Sequence, residues 1–235
     1  MVEKLSLVLL SVMFCFLQGN AQCCGSNQLM IQQITASDYV RYSQQYDSVP
    51  FLSNKWSKAS LKVTSGEVYY NLNVKVDVFK DNLIYYNEAL NKQLIIDKEI
   101  IDEIRLMNEA GKQEYLIKNV CSSDSVKKQK CNFYFIHLSD SISIWSLRKK
   151  DVASYNSTTT KMLGYYYTQV KYYIVINHKL INLPQNKRVL AKMFPNNRRD
   201  ILTYISKNHL KLKNPSHLVR LFEKINELEK ASKAI

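Results

Sequence analysis

An alternating run over residues 68–78 constrains the fold of this chain more than any other feature. Polar and apolar side chains exchange places at almost every step, and the valines at its end mark it as extended. A period of two places successive side chains on opposite faces of a strand. The run therefore predicts one half-buried strand, and its apolar face is expected to carry Val68, Tyr70, Leu72, Val74, Val76 and Val78.

Shorter strand-like runs occur on both sides of this one, and polar turn signals such as Ser65-Gly66 separate them. Spacing of about 8–12 residues without long intervening helices is typical of antiparallel all-β topology. Residues 98–106 are equally compatible with a short helix. We therefore expect eight to ten antiparallel strands within residues 51–184, arranged as a sandwich or as a partly closed barrel.

The C-terminal segment, residues 185–235, changes to a helical period. Asn214-Pro215 is a cap followed by proline at the first helical position. The last helix is expected to bury a stripe formed by Leu218, Leu221, Phe222, Ile225 and Leu228. Two or three helices packed on the sheet are predicted, and the fold class is therefore α+β, mainly antiparallel β.

Positive charge is concentrated in the same segment. It carries twelve Lys/Arg and four Asp/Glu, a net charge of +8 out of +13 for the whole chain. Arg198, Arg199 and Lys207 are predicted to form an anion-binding face for an envelope polyanion or anionic lipid. A solvated helix surface is the alternative. Nucleic acid is not expected as a partner of an exported protein.

Export is predicted by the N-terminus. Residues 1–4 form a short polar start with one lysine, residues 5–17 are apolar or small, and a polar segment with small residues follows. This is the order of a cleavable signal peptide. Cleavage is expected between Ala21 and Gln22. The apolar run is shorter than the roughly 20 residues that span a bilayer, so no transmembrane segment is expected in the mature chain.

The mature protein is expected in the periplasm, on the outer-membrane surface or outside the cell, beginning with a polar segment over residues 22–50. Lipidation of Cys23 is the alternative, but Asn20 and Gln22 do not suit a lipobox. Cys121 and Cys131 flank a polar loop between two strand-like runs, so a disulfide between them is predicted. The cysteine spacing lacks the C-x2-4-C pairs typical of zinc sites.

No catalytic, cofactor-binding or metal-binding motif occurs, and no cofactor is expected. An exposed aromatic surface at Tyr165, Tyr167 and Tyr172 is the better indication of function, because tyrosines suit binding of glycans or proteins. Packing of these rings in the core or on the sheet is the alternative. Trp56 and Trp145 are expected to be core anchors. These observations favour a binding or structural module of the envelope without enzymatic activity. The alternative is a hydrolase-type envelope enzyme whose residues come from distant loops.

Two stretches carry a resemblance to a known group. The tail LAKMFPNNRRDILTYISKNHLKLKNPSHLVRLFEKIN and the strand block WSKASLKVTSGEVYYNLNVKVDVF resemble exported proteins of Bacteroidota, and the signal ending at Ala21 is similar as well. No activity is established for that group. The resemblance implies export and a β-rich body with a basic helical C-terminal segment. It implies no functional residue.

Overall fold

One large sheet and three C-terminal helices make up the computed structural model, which describes residues 36–38, 46–122, 130–154 and 164–233. The strands are β1 Ala36–Asp38, β2 Ser57–Val63, β3 Val68–Asp77, β4 Asn82–Asn87, β5 Lys92–Ile96, β6 Ile101–Met107, β7 Gln113–Ser122, β8 Lys130–Leu138, β9 Ile142–Ser154, β10 Gly164–Ile176 and β11 Lys179–Asn182. The helices are α1 Lys187–Lys192, α2 Arg198–Lys207 and α3 Pro215–Lys233. The signal-like segment, the cleavage position Ala21–Gln22, Cys23 and Cys24 lie outside the described residues.

The eleven strands follow the order β1-β5-β4-β3-β2-β6-β7-β8-β9-β10-β11, and each pairs antiparallel with its neighbours. Two meanders therefore run outward from the β2–β6 pair. The predicted α+β class is confirmed. The sheet has one strand more than expected, because β1 comes from the polar segment 22–50. Residues 98–106 form a short 3-10 turn followed by β6, so the extended interpretation of this stretch is right.

The sheet curls without closing. The backbone N–H of Lys150, in β9, donates to the carbonyl of Val78, just after β3, at 2.9 Å. The Lys150 ammonium donates to the carbonyls of Val49 and Phe51 at 2.6 and 2.7 Å. These contacts bring the end of β3 to β9, five neighbours away in the strand order. The strands between them wrap around a common interior.

Two hydrophobic cores occupy the same side of the sheet, here named the inner face. The barrel core draws on β2 to β8 and includes Leu61, Ile104 and Phe135. The tail core joins Ile144 and Ile174 of β9 and β10 to all three helices. Phe135 of the barrel core lies directly opposite Ser146 of β9. Ser146 and Ile144 of the tail core are two residues apart and so lie on the same face of β9, which places both cores on one face of the sheet.

The C-terminal helices are part of the fold. Four residues of the predicted stripe in α3 are fully buried: Leu218, Leu221, Phe222 and Ile225. The fifth, Leu228, packs partly buried against the same core. Burial of each large apolar side chain contributes roughly 1.5–3 kcal/mol. The segment is therefore anchored to the sheet by its apolar side, and its charges face solvent.

The alternation in β3 is interrupted in a way that the sequence analysis did not anticipate. Leu72 and the three valines after it are buried, but Val68 is 39% and Tyr70 62% exposed, and Tyr69 is buried instead. The ladder to β2 shifts register between Ala59 and Leu61. Asn71, inside this shift, has a φ of 61°. The extra residue reverses the faces, so the prediction was wrong for Val68 and Tyr70.

The disulfide between Cys121 and Cys131 is confirmed. The two residues lie directly opposite each other on β7 and β8, and their sulfur atoms are 1.99 Å apart. Their Cα atoms are 3.9 Å apart, closer than the 4.4–6.8 Å that is usual for disulfides. The bond fastens the β7–β8 hairpin near its loop end.

Candidate binding site

An open cleft of about 810 Å³ lies at the end of the sheet where β2 begins and β6 ends. Its sides come from the segment before β2, from the middle of β3 and from the β6–β7 turn. The side chains that decide its chemistry are Lys55, Trp56, Lys58, Asn71, Glu109 and Glu114.

Three departures from regular pairing create this cleft. Phe51 pairs with Asp77 of β3 and Ser57 pairs with Val74, so six residues along the chain correspond to three along β3. The segment that contains Trp56 is therefore not paired with β3. The β3 irregularity at Asn71 is the second. The third is in β7, where Leu106 pairs with Tyr115 and Met107 with Gln113, leaving Glu114 as the extra residue. Bulges redirect side chains and are enriched beside functional sites. Here two of them, at Asn71 and Glu114, line one cleft.

The β6–β7 turn is held by its own polar contacts. The side-chain oxygen of Asn108 accepts from the N–H groups of Ala110 and Lys112 at 3.0 and 2.9 Å. Gly111 supplies a φ of 72°, which favours glycine. This side of the cleft is therefore a defined turn, and Glu109 occupies its tip.

Trp56 forms the aromatic wall. Its ring centre is 5.7 Å from that of Tyr86, and the Lys75 ammonium lies 5.0 Å from it. Burial lowers the pKa of Lys75. Trp56 is only partly buried and is absent from both hydrophobic cores, so it does not have the core position that the sequence analysis expected. Its neighbours hold the ring in place beside an open volume.

The charges of the cleft balance. Lys55 and Lys58 face Glu109 and Glu114, and the Lys55 ammonium lies 2.7 Å from the Glu109 carboxylate. The hydrogen bond between them, followed by their charge attraction, raises the pKa of Lys55 and lowers that of Glu109. Glu109 is therefore held as a carboxylate. Such a site suits a polar ligand without net charge.

A second depression, of about 200 Å³, continues the cleft along β2. It is lined by Ser60, two residues after Lys58 in β2, by Tyr70, which precedes Asn71 in β3, and by Arg105. Charges here are also paired, since Arg105 Nε contacts Glu103 at 2.7 Å and Lys62 contacts Asp102 at 2.9 Å. The cleft and this depression are together called the groove. Its two parts lie one after the other along β2, an arrangement that suits a chain-like ligand.

The three residues of the predicted anion-binding face lie on more than one side of α2. Arg198, Arg199 and Lys207 are all exposed in α2. Nine positions separate Arg198 from Lys207, about two and a half turns at 3.6 residues per turn. The two side chains therefore leave the helix on opposite sides. Arg199 lies between them, about 100° around the helix from Arg198 and about 80° from Lys207. Binding of an anion by these three residues stays a prediction.

The predicted aromatic surface is divided as well. Tyr165 and Tyr167 lie on one face of β10, 42% and 38% exposed, with ring centres 6.5 Å apart. Tyr172 belongs to the inner face, because unbroken pairing with β9 places it opposite Ser146. Its ring is partly buried, 5.9 Å from the ring of His137. Only Tyr165 and Tyr167 contribute to an exposed surface.

Within residues 36–38, 46–122, 130–154 and 164–233, no three His, Cys, Asp or Glu side chains are grouped as metal ligands would be. In the same part of the chain, no helix has both the length and the apolar character needed to cross a bilayer. Comparison with known proteins was also negative: no protein-family profile, curated protein or solved structure matches this chain.

The sequence analysis missed the groove because its residues are far apart along the chain and belong to no motif. One signal was available. Tyr69 occupies a position at which the alternation of β3 predicts a polar residue, and it lies two positions before Asn71. Asparagine tolerates positive φ better than most residues. An apolar residue out of phase beside an asparagine is therefore an indication of a bulge.

Proposed function

We propose that this protein is an exported glycan-binding module of the cell envelope, without enzymatic activity, and that the groove holds a stretch of a linear polysaccharide. The observation that carries the proposal is the composition of the cleft. Trp56 lines it together with Asn71 and Glu114, two polar residues at strand bulges, and its two lysines and two glutamates sum to no net charge.

The chemistry of sugars suits these groups. The apolar C–H face of a pyranose can pack on the ring of Trp56, as apolar surfaces do on aromatic side chains. Sugar hydroxyls both donate and accept, so they can pair with the amide of Asn71 and the carboxylate of Glu114. The charge balance disfavours strongly ionic ligands. The extension past Tyr70 provides room for further sugar units along β2.

A binding role is favoured over hydrolysis by the state of the carboxylates. Glycoside hydrolysis commonly requires a pair of carboxyl groups, one of which stays protonated to serve as general acid. Lys55 lowers the pKa of Glu109 and so opposes that role. Glu109 is also exposed, so burial, the usual means of raising the pKa of a carboxyl group, does not act on it.

Binding of oligosaccharides tests the proposal. Chitohexaose, maltohexaose and xylohexaose would be titrated by calorimetry into protein beginning at Gln22, with sedimentation on isolated peptidoglycan as a polymer assay. Trp56→Ala and Asn71→Gly should each weaken the binding of whichever glycan is retained by at least tenfold. Tyr165→Ala, an exposed aromatic outside the groove, is the matched control and should bind normally.

Two results would contradict this function. One is retention of none of these glycans by well-folded wild-type protein. The other is loss of binding in Tyr165→Ala with full retention in Trp56→Ala, which would move the site to the exposed tyrosines.

Export is supported by the signal-like segment, by the resemblance to exported Bacteroidota proteins and by the Cys121–Cys131 bond, since disulfides persist in oxidising compartments. N-terminal mass spectrometry of material from envelope and culture fractions tests it, with Gln22 as the expected first residue. Retention of Met1 in cytoplasmic material would contradict export. A diacylglyceryl mass on Cys23 would instead establish the lipidated form.

A further inference from the structure

A second polar cluster lies on the inner face, between the barrel core and the tail core. Its centre is Arg148 of β9, whose guanidinium carbon is 4.9 Å from the ring centre of Phe135 and 5.2 Å from that of Tyr115. Both rings pack in the barrel core. Arg148 is partly exposed, so part of the side chain is in contact with solvent.

Arg148 has aromatic contacts, but no oxygen acceptor for it occurs among the residues that the structure describes. Its Nε atom is buried and donates no hydrogen bond, and none of the ion pairs among the described residues includes this side chain. Two other partly buried cations are satisfied differently. Lys98 is paired with the Asp81 carboxylate, and Lys150 donates to two backbone carbonyls. A guanidinium that lacks such partners is costly to bury, because it has lost hydration without gaining an acceptor.

Polar groups beside Arg148 complete the cluster. His137 Nε2 lies 2.8 Å from Ser146 Oγ, and Ser146 is fully buried on the same strand as Arg148. Burial first, and the positive charge of Arg148 second, lower the pKa of His137 to about 4. The imidazole is therefore neutral near pH 7 and does not add to the charge of the cluster. Arg148 remains as a positive charge without a counter-ion among the described residues.

We propose that Arg148 binds an oxyanion, the carboxylate or phosphate group of a small molecule, at this inner-face cluster. The planar guanidinium offers several N–H donors in a fixed fork that matches two oxygens of either group. The rings of Phe135 and Tyr115 fix its position from the core side. This site is separate from the groove in residues and in chemistry, and it does not depend on the glycan proposal.

The side-chain Nε–H signal of Arg148 in wild-type protein gives a direct test by NMR, with inorganic phosphate and benzoate as probes. The signal is assigned in the wild type by nuclear Overhauser contacts to the rings of Phe135 and Tyr115, whose centres lie 4.9 and 5.2 Å from the guanidinium carbon. Binding should produce a saturable shift of this signal with at least one probe. The pKa of His137 should also rise in saturating anion, because the bound charge offsets that of Arg148. Response to one probe alone identifies which oxyanion the site prefers.

A triple variant separates this site from the basic helix surface. Arg198→Gln, Arg199→Gln and Lys207→Gln together should leave the Arg148 shift and its saturation unchanged. The proposal is overturned if neither anion moves the Arg148 signal, or if the triple variant removes the shift. Both measurements use proteins that retain Arg148, so they remain valid if substitution of Arg148 prevents folding.

Discussion

Asn71 combines a left-handed backbone with a position in the middle of a strand. Asparagine tolerates a φ of 61°, whereas a β-branched residue there is strained. Asn71→Val should therefore lower the free energy of unfolding by about 1–2 kcal/mol, measured by urea denaturation. Asn71→Gly should be close to neutral, since glycine adopts this conformation readily. This glycine variant separates loss of glycan binding from loss of stability.

The control for strain is Asn73→Val, two positions further along the same strand. Asn73 is paired regularly with Lys58, and its side-chain hydrogen bond to Glu88 is exposed. Valine suits such a position, so stability should change little. An equal loss in both valine variants would show that the bulge at position 71 is not the cause.

His137 makes stability depend on pH in a defined window. Its pKa falls from 6.5 to about 4 on folding, so the unfolded chain binds the proton more readily. The native state keeps its full advantage above about pH 6.5 and loses about 2–3 kcal/mol as the pH falls to about 4. Urea titrations of wild type and His137→Gln across this range should differ by that amount. Parallel curves would contradict a neutral, buried histidine.

At the scale of elements, one side chain fastens α3 to the beginning of β9. Asn226 is 1% exposed. Its oxygen accepts from the Ile142 N–H at 2.9 Å and from Ser141 Oγ at 2.8 Å, and its nitrogen donates to the carbonyls of Ile142 and Phe222, both at 2.9 Å. The amide thus satisfies backbone groups at the beginning of β9 that the neighbouring strands leave unpaired.

Asn226→Leu should lower the free energy of unfolding by about 2–4 kcal/mol, because the Ile142 N–H and carbonyl lose a partner while buried. Thermal and urea unfolding would measure this loss. Glu223→Leu places the same residue on the solvent side of α3 and should change stability by less than about 0.5 kcal/mol. A small effect of Asn226→Leu would mean that water replaces the amide.

The elements themselves were largely predictable, because periods of two and 3.6 report which side chains share a face. The stripe of α3 and ten of the strands were expected on that basis. The period does not reveal where a ladder gains a residue, so the exposure of Tyr70 was missed. It also cannot show which face becomes the interior. Ser146, Arg148 and Lys150 follow Ile142 and Ile144 on the inner face of β9, and the pattern gave no reason to expect cations there.

At the scale of the whole molecule, the two cores depend on one sheet. Phe135 of the barrel core and Ser146, in line with the tail core, are direct neighbours across β8 and β9. Unfolding of the tail core would expose the inner face of β9, the strand that carries Arg148 and pairs with Phe135 of β8. We therefore expect both halves to unfold in one cooperative transition.

Ile104→Ala in the barrel core and Phe222→Ala in the tail core should test this coupling. Both residues are fully buried, and their truncation should cost about 2–5 kcal/mol each. The two tryptophans serve as local fluorescence reporters, because Trp56 lies beside the barrel core and Trp145 lies on β9. In a Trp145→Phe background the fluorescence reports the barrel half alone, and in a Trp56→Phe background it reports the half that contains β9. Either truncation should lower both fluorescence midpoints and the circular-dichroism midpoint together. If Phe222→Ala shifts the Trp145 transition and leaves that of Trp56 in place, the helical segment and the barrel unfold separately.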